Sequence, residues 1–224
     1  MIVKNKLLFK SILVVSLVIL FDQIVKFWIK THMYLGQEYK VFGNWFIIHF
    51  TENPGMAFGM EFGGNYGKLF LSLFRIVAVI IIGWYIFKLS KKKETSSWLI
   101  VCVSLILAGA LGNIIDSVFY GLIFNESSFQ VASFMPTEGG YASLLHGKVV
   151  DMLYFPLFNI TFPEWFPFWG GEKHLFFSPV FNIADSVITI GVILMIIFQK
   201  KVFGKANPEY TSTENPVAET PENI

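Results

Sequence analysis

Charge is what this sequence has least of. Asp, Glu, Lys and Arg make up 15% of its 224 residues and hydrophobic side chains 54%, against about 25% charged in soluble domains. That balance excludes an ordinary water-soluble globular domain. A formal net charge of +1 also leaves no basic face with which to hold nucleic acid. Cysteine occurs once, at Cys102 inside an apolar run, so no disulfide framework or thiolate metal cluster can be built, and the residue reads as a small buried side chain. Arginine also occurs once, as Arg75, and no internal repeat is visible.

What is present in quantity is long apolar runs. Four of them, at about residues 7–29, 69–89, 98–120 and 180–199, are long enough at about 1.5 Å per helical residue to cross a hydrocarbon layer of about 30 Å. Lys4, Lys6 and Lys10 precede the first as they would in a secretory signal. No small-residue cleavage site follows, however, so the run is expected to stay as an uncleaved helix. Ten of the seventeen basic residues flank helix ends on one side: Lys4, Lys6, Lys10, Lys88, Lys91, Lys92, Lys93, Lys200, Lys201 and Lys205. The positive-inside rule puts that side in the cytoplasm, with both termini.

The expected architecture is an all-α integral membrane protein, a four-transmembrane-helix bundle with a small periplasmic β platform. One membrane domain covers residues 1–205, with outer loops at about 31–68 and 121–179. In the first loop, aromatic and β-branched residues around Gly43-Asn44, within residues 39–51, predict a hairpin on the membrane surface. The second carries Trp165, Phe166, Phe168, Trp169, Phe176 and Phe177, side chains suited to a membrane interface, and is expected to cap the bundle. Residues 124–141 read as irregular, with no role assigned. From 206 to 224 the chain turns to Asn, Pro, Glu, Thr and Ser, the composition of a disordered cytoplasmic tail.

The acidic residues are sharply segregated. All four aspartates, Asp22, Asp116, Asp151 and Asp185, fall in or against apolar segments, whereas the twelve glutamates lie in loops, helix ends or the tail. An ionisable side chain at mid-helix costs roughly 2.5–3.5 kcal/mol on insertion scales, so it is expected to face a bundle interior or a water-filled cavity. On the predicted topology Asp116 and Asp185 sit at similar depth near the outer face, Asp151 enters from that side, and Asp22 lies deeper. Asp22 and Lys26 are four apart on one helical face, where they can either tether the bundle or meet a substrate. Asn113 with Asp116, and Asn182 with Asp185, share faces at i,i+3 spacing.

Five strings carry a resemblance: Asp22-Gln-Ile-Val-Lys26, Asn53-Pro-Gly55-Met-Ala57-Phe58, Gly112-Asn113-Ile-Ile-Asp116, Val149-Val150-Asp151 and Phe181-Asn182-Ile-Ala184-Asp185. In order, and with their helices, they resemble the motif regions of the bacterial lipoprotein signal peptidases (signal peptidase II), an aspartyl protease family working within the inner membrane. The resemblance implies that Asp151 and Asp185 form a catalytic dyad, that Asn53 and Gly55 line the substrate path, and that Asn113, Asp116 and Asn182 support dyad and substrate, with Asp22 and Lys26 in the polar interior. The implied substrate is a diacylglyceryl-modified prolipoprotein cut before its lipidated cysteine, globomycin-type cyclic peptides would block the site, and no cofactor or metal is implied. Two departures stand out. The family's third motif continues with arginine, where this chain has Ser117; Arg75 is expected either to replace it from the second helix or to snorkel to lipid headgroups. The stretch between Gly121 and His146 is long. Two other readings remain in view: a proton-coupled carrier using the intramembrane Asp and Lys residues, and a metalloenzyme drawing on His49, His146 and His174, which lack a recognisable ligand spacing.

Overall fold

The computed structural model describes residues 2–54, 64–176 and 179–203. Helix α1 (Ile2–His32) is followed by strands β1 (Glu38–Phe42) and β2 (Phe46–Asn53), then helices α2 (Gly64–Ser90) and α3 (Ser97–Ile115). Helix α3 does not end at Asp116: it widens into a π-helical turn over Asp116–Tyr120 and closes with the single turn α4 (Gly121–Ile123). A long irregular segment then leads to β3 (Val149–Tyr154), β4 (Phe158–Thr161), β5 (Lys173–Phe176), β6 (Val180–Phe181), α5 (Ile183–Ile197) and α6 (Gln199–Phe203).

The helices are inverted relative to those of a soluble protein. Phe9, Leu17, Phe70, Phe74, Ile80 and Trp84 are more than half exposed, while Asp22, Lys26, Lys30, Asn113 and Asp116 are buried. Lipid is the solvent that makes this arrangement favourable, because polar groups then have to find one another inside. Three stretches, Lys6–His32, Leu69–Ser90 and Ser97–Ile123, are long and apolar enough to cross a membrane. The fourth expected span is shorter: α5 has 15 residues, because the start of its apolar run is used as β6, which pairs with β3.

Helix α3 is the hub, packed against α1, α2 and α5. It approaches two of these neighbours closely: a Cβ on Gly109 would collide with the Ala184 carbonyl oxygen of α5, and one on Gly112 would sit 2.7 Å from an Asp22 carboxylate oxygen of α1. Small residues permit such an approach between membrane helices, and here it brings Asn113 level with the start of α5.

The hairpin predicted around Gly43-Asn44 is present, but it is half of a larger element. Strands order as β1-β2-β3-β6, each pair antiparallel, with Thr51 opposite Asp151, Glu52 opposite Val150 and Asn53 opposite Val149. Strands β4 and β5 form a separate hairpin, whose Phe162, Phe166 and Trp169 rings stack while Trp165 and Phe168 stand exposed.

Two apolar clusters hold the ends of the bundle. One joins Ile86, Leu89, Leu99, Ile100, Cys102 and Val202; the other joins Ile29, Met33, Phe50, Tyr120, Phe124, Val150 and Met152. Cys102 is fully buried, as its setting implied. The 124–141 stretch is irregular as expected, yet it is packed: Phe124 and Ser127 are inaccessible to solvent and Ala132 nearly so. Along α1 and α3, Asp22, Lys26, Asn113 and Asp116 fall between the two clusters. The tail at 206–224, with Gly55, Met56, Ala57, Phe58 and Phe177, lies outside the described residues.

Candidate active site

The site is assembled from the α1 stripe outward. Asp22 and Lys26 face the bundle, and the Lys26 ammonium lies 3.0 Å from Asp22 Oδ2 and 2.8 Å from Asp116 Oδ2. It also donates to Asn113 Oδ1 at 2.9 Å, so all three of its protons are taken by protein groups. Asp22 Oδ1 accepts the Ala184 backbone N–H at 3.0 Å, one of the amides that a helix start leaves without an intrahelical partner. The pair thus ties α1 to α3 and α5. Asp116 accepts from Gln23 Nε2 at 2.9 Å and from the Val150 backbone N–H at 3.2 Å, which fixes strand β3 to the π turn.

Two asparagines carry this order to the outer carboxylates. Lysine can only donate, so the Asn113 oxygen must face Lys26 and its NH2 must point away; that NH2 donates to Asp185 Oδ1 at 2.8 Å. Asn182 is the N-cap of α5, where its Oδ1 accepts the Asp185 backbone N–H at 2.9 Å. Its NH2 is therefore turned outward and donates to Asp151 Oδ1 at 2.6 Å and Asn113 Oδ1 at 3.1 Å. Both amides are oriented by groups that leave them no choice, and each presents a proton to a different carboxylate.

Asp151, on β3, is 4% exposed and also takes a hydrogen bond from Asn53 at the end of β2. Burial, and then the negative charge of Asp185, push its carboxyl up to about 7, against the opposing pull of Asn182, Lys26 and Asn53. Asp185 is partly buried in the first turn of α5, where the positive end of the helix dipole favours a carboxylate. Asp151 thus sits in a setting that holds its proton, and the neighbouring charge of Asp185 strengthens that hold. Pairs arranged this way divide acid and base roles between them.

Arg75 on α2 lies in the field of Asp185 first, then Asp151 and Asp116. The residue that follows Asp116, Ser117, donates to the Asn113 carbonyl at 3.0 Å. Arg75 thus adds to the positive charge that Lys26 of α1 brings to these carboxylates. Gly55 lies outside the described residues. The histidines are held elsewhere: His49 Nδ1 lies 2.6 Å from Glu38, and His146 is engaged by Ser143 and Leu144 of its own loop. Among the described residues no three His, Cys, Asp or Glu side chains converge to hold a metal ion.

Sequence reasoning passed over Gln23, whose NH2 also reaches Asp22 and the Gly112 carbonyl and whose oxygen accepts the Tyr120 hydroxyl at 3.2 Å. It also passed over Lys30, inaccessible to solvent beside Glu52. A signal for Lys30 existed: Asp22, Lys26 and Lys30 repeat at i, i+4, i+8 along one face of α1.

Comparison with known proteins gives a consistent result. The family profile described as Signal peptidase (SPase) II matches residues 14–200. A lipoprotein signal peptidase of Porphyromonas gingivalis is 54% identical over 183 residues, covering 82% of this chain and 79% of that protein. One from Amoebophilus asiaticus is 38% identical over 200 residues, covering 88% and 80%. Two solved structures, each described as a bacterial membrane enzyme, superpose with TM-scores of 0.56 and 0.55. They are 28% and 30% identical in sequence, cover 88% and 84% of this chain, and are themselves covered to 92% and 91%.

Proposed function

This chain belongs to the signal peptidase II family, a family of membrane-embedded proteases, and from that premise we propose that it removes the signal peptide of diacylglyceryl-modified prolipoproteins through an aspartyl dyad of Asp151 and Asp185. One observation carries the reading: two coupled carboxyls, in unlike environments, are each held by the side-chain amide of an asparagine whose orientation is fixed. Asp151 keeps the shared proton and donates it toward the scissile carbonyl oxygen. Asp185, ionised, takes a proton from the attacking water. As the tetrahedral intermediate collapses, Asp185 passes the water's proton to the leaving amine and Asp151 takes back the proton of the hydroxyl that re-forms the carbonyl, so the dyad returns to its singly protonated state. Neither a covalent intermediate nor a metal enters this scheme.

The remaining elements follow. Four spans, α5 being the fourth, leave both termini in the cytoplasm and the dyad near the outer face of the inner membrane, where the β sheet forms a periplasmic platform. Signal helix and acyl chains stay in lipid, and only the scissile peptide enters the polar layer. Asn53, Gly55 and Arg75 border its path. Each buried methylene of an acyl chain contributes about 0.8 kcal/mol to membrane anchoring. A precursor without the diacylglyceryl group is therefore expected to be cut at less than about one-hundredth of the rate of the modified one. Purified protein in lipid nanodiscs, given both precursors with and without chelator, tests this. Equal rates for the two precursors would overturn the substrate, chelator sensitivity would overturn the dyad, and undiminished cleavage at saturating globomycin would overturn the inhibitor assignment.

A pH dependence follows from the same pair. Asp151 is the protonated partner only below its value of about 7. Cleavage is therefore expected to fall as pH rises through about 7, because Asp151 then loses the proton it supplies as the acid. A profile that is flat from pH 6 to 9 would contradict this division of roles.

A further inference from the structure

The mechanism leaves unused a second buried ionic chain, one turn beyond Lys26 along α1. Lys30 forms an ion pair with Glu52 Oε1, their side chains being 1% and 2% exposed. Glu52 Oε2 accepts from Lys148 at 3.1 Å, and Lys148 reaches Glu126 at 3.0 Å. The charges therefore alternate across four segments: α1, the end of β2, the residue before β3, and the 124–141 stretch. Ser127 closes the chain, accepting from Lys30 at 2.8 Å and donating to Glu52 at 3.3 Å. The Tyr141 ring lies 4.8 Å from the Lys30 ammonium, and its hydroxyl accepts the Lys148 backbone N–H at 2.7 Å.

Its position is what gives this chain a consequence. Glu52 immediately precedes Asn53, which hydrogen-bonds Asp151, and Glu52 and Asn53 pair across the sheet with Val150 and Val149. Lys148 immediately precedes β3. The two strand ends that deliver Asn53 and Asp151 are thus gripped by one carboxylate. The pairing of β2 with β3 is irregular between Ile48 and Thr51, so the ladder alone does not carry a fixed register from the far end of the sheet to the site.

We propose that Glu52, clamped between Lys30 and Lys148, is a positioning residue for the dyad: it fixes the end of β2, and so the Asn53 amide, against Asp151. The inference rests on the aspartyl reading above. Glu52 itself touches neither carboxylate. Burial works against the Lys148 ammonium, but hydrogen bonds and charge from Glu126 and Glu52 outweigh it and raise its affinity for the proton.

The test separates positioning from stability. Glu52→Asp keeps every charge but retracts the carboxylate by one methylene, so the fold is retained while the strand end shifts. Cleavage is expected to fall roughly 10- to 100-fold in kcat with KM within about twofold, the scale of a displacement of about 1 Å. Weakening the Asn53 hydrogen bond also removes a contact that favours ionised Asp151, so the falling limb of the pH profile is expected to move to higher pH. Asp185, Asn182, Lys26 and Arg75, which also face Asp151, are unchanged in this variant. The double variant K30M/E52L replaces the buried pair with apolar side chains, a change that is often neutral or stabilising. It is expected to keep the parent Tm, the lowered kcat and the moved limb. Parent kcat and an unmoved limb in either variant would overturn the proposal. Asp151→Asn, run in parallel, separates the two levels: if it cleaves at the parent rate, the dyad reading itself fails, whereas an inactive Asp151→Asn beside a fully active K30M/E52L removes only the role of Glu52.

Discussion

Asp151→Asn and Asp185→Asn are each expected to lower cleavage by at least about 10³-fold, since each removes one half of an acid–base pair and general acid–base groups contribute about 10²- to 10⁴-fold apiece. An amide can neither hold the shared proton as an acid nor accept one from water. The loss should appear in kcat, with precursor binding retained, because the rest of the site is intact. Stability is expected to move the other way for Asp151. Its folded-state value is raised from 3.8 to about 7 by burial and by Asp185, so the folded protein binds this proton more tightly than the unfolded chain. That contribution is fully present below about 3.8 and is lost as pH rises through about 7. Above that, the folded state carries a buried carboxylate, at a cost on the order of 4 kcal/mol for a shift of this size. A neutral amide in its place has no such cost and keeps a polar contact to Asn182, so the Asp151→Asn protein is expected to melt higher than the parent at pH 8 and to match it near pH 4. Thermal unfolding at both pH values, beside a cleavage assay, checks the two halves together. An inactive variant that is also destabilised at pH 8 would mean that Asp151 is a structural anchor.

How much of this was legible in the sequence depends on the kind of signal each residue leaves. The aspartates were legible because ionisable groups in apolar runs are costly and so conspicuous, and the β1–β2 hairpin because Gly43-Asn44 interrupts an aromatic strand pattern. Strand β3 was not: Val149, Val150, Asp151 and Met152 are all buried, so the alternation that marks a half-exposed strand is missing. The short start of α5 was hidden for a similar reason, since Val180 and Phe181 read equally well as the first turn of an apolar helix. The Lys30–Glu52–Lys148 clamp was the least legible. Its members are joined by tertiary contact across 22 and 96 residues, and in sequence Glu52 and Lys148 look like ordinary loop charges. The irregular 124–141 stretch has no periodicity at all, and only packing against Ile29, Met33 and Phe50 shows that it seals one end of the bundle.

Lys26→Met is expected to produce the largest loss of stability of any single substitution at the site, about 3–5 kcal/mol, the cost of removing one member of a buried ion pair. The methionine nearly matches the stem in volume, so the loss would not come from a cavity. It comes from Asp22 and Asp116, 1% and 0% exposed, which are left as two carboxylates without their cation. Since a whole domain is typically stable by about 5–15 kcal/mol, a substantial unfolded population should appear in thermal unfolding. Activity should fall further than the folded fraction explains. With the ammonium gone, only the longer 3.1 Å bond from the Asn182 NH2 still holds the Asn113 oxygen inward, and the amide is freer to turn so that Asp185 meets an oxygen instead of a proton donor. The triple variant K26M/D22N/D116N distinguishes the two effects: neutralising both carboxylates should restore most of the Tm, while cleavage stays at least about tenfold below the parent, because Asn113 has lost the shorter of the two bonds that orient it. If the triple variant recovered full activity together with its Tm, the ammonium would be only a structural counter-charge and the oriented relay from Lys26 through Asn113 to Asp185 would be wrong.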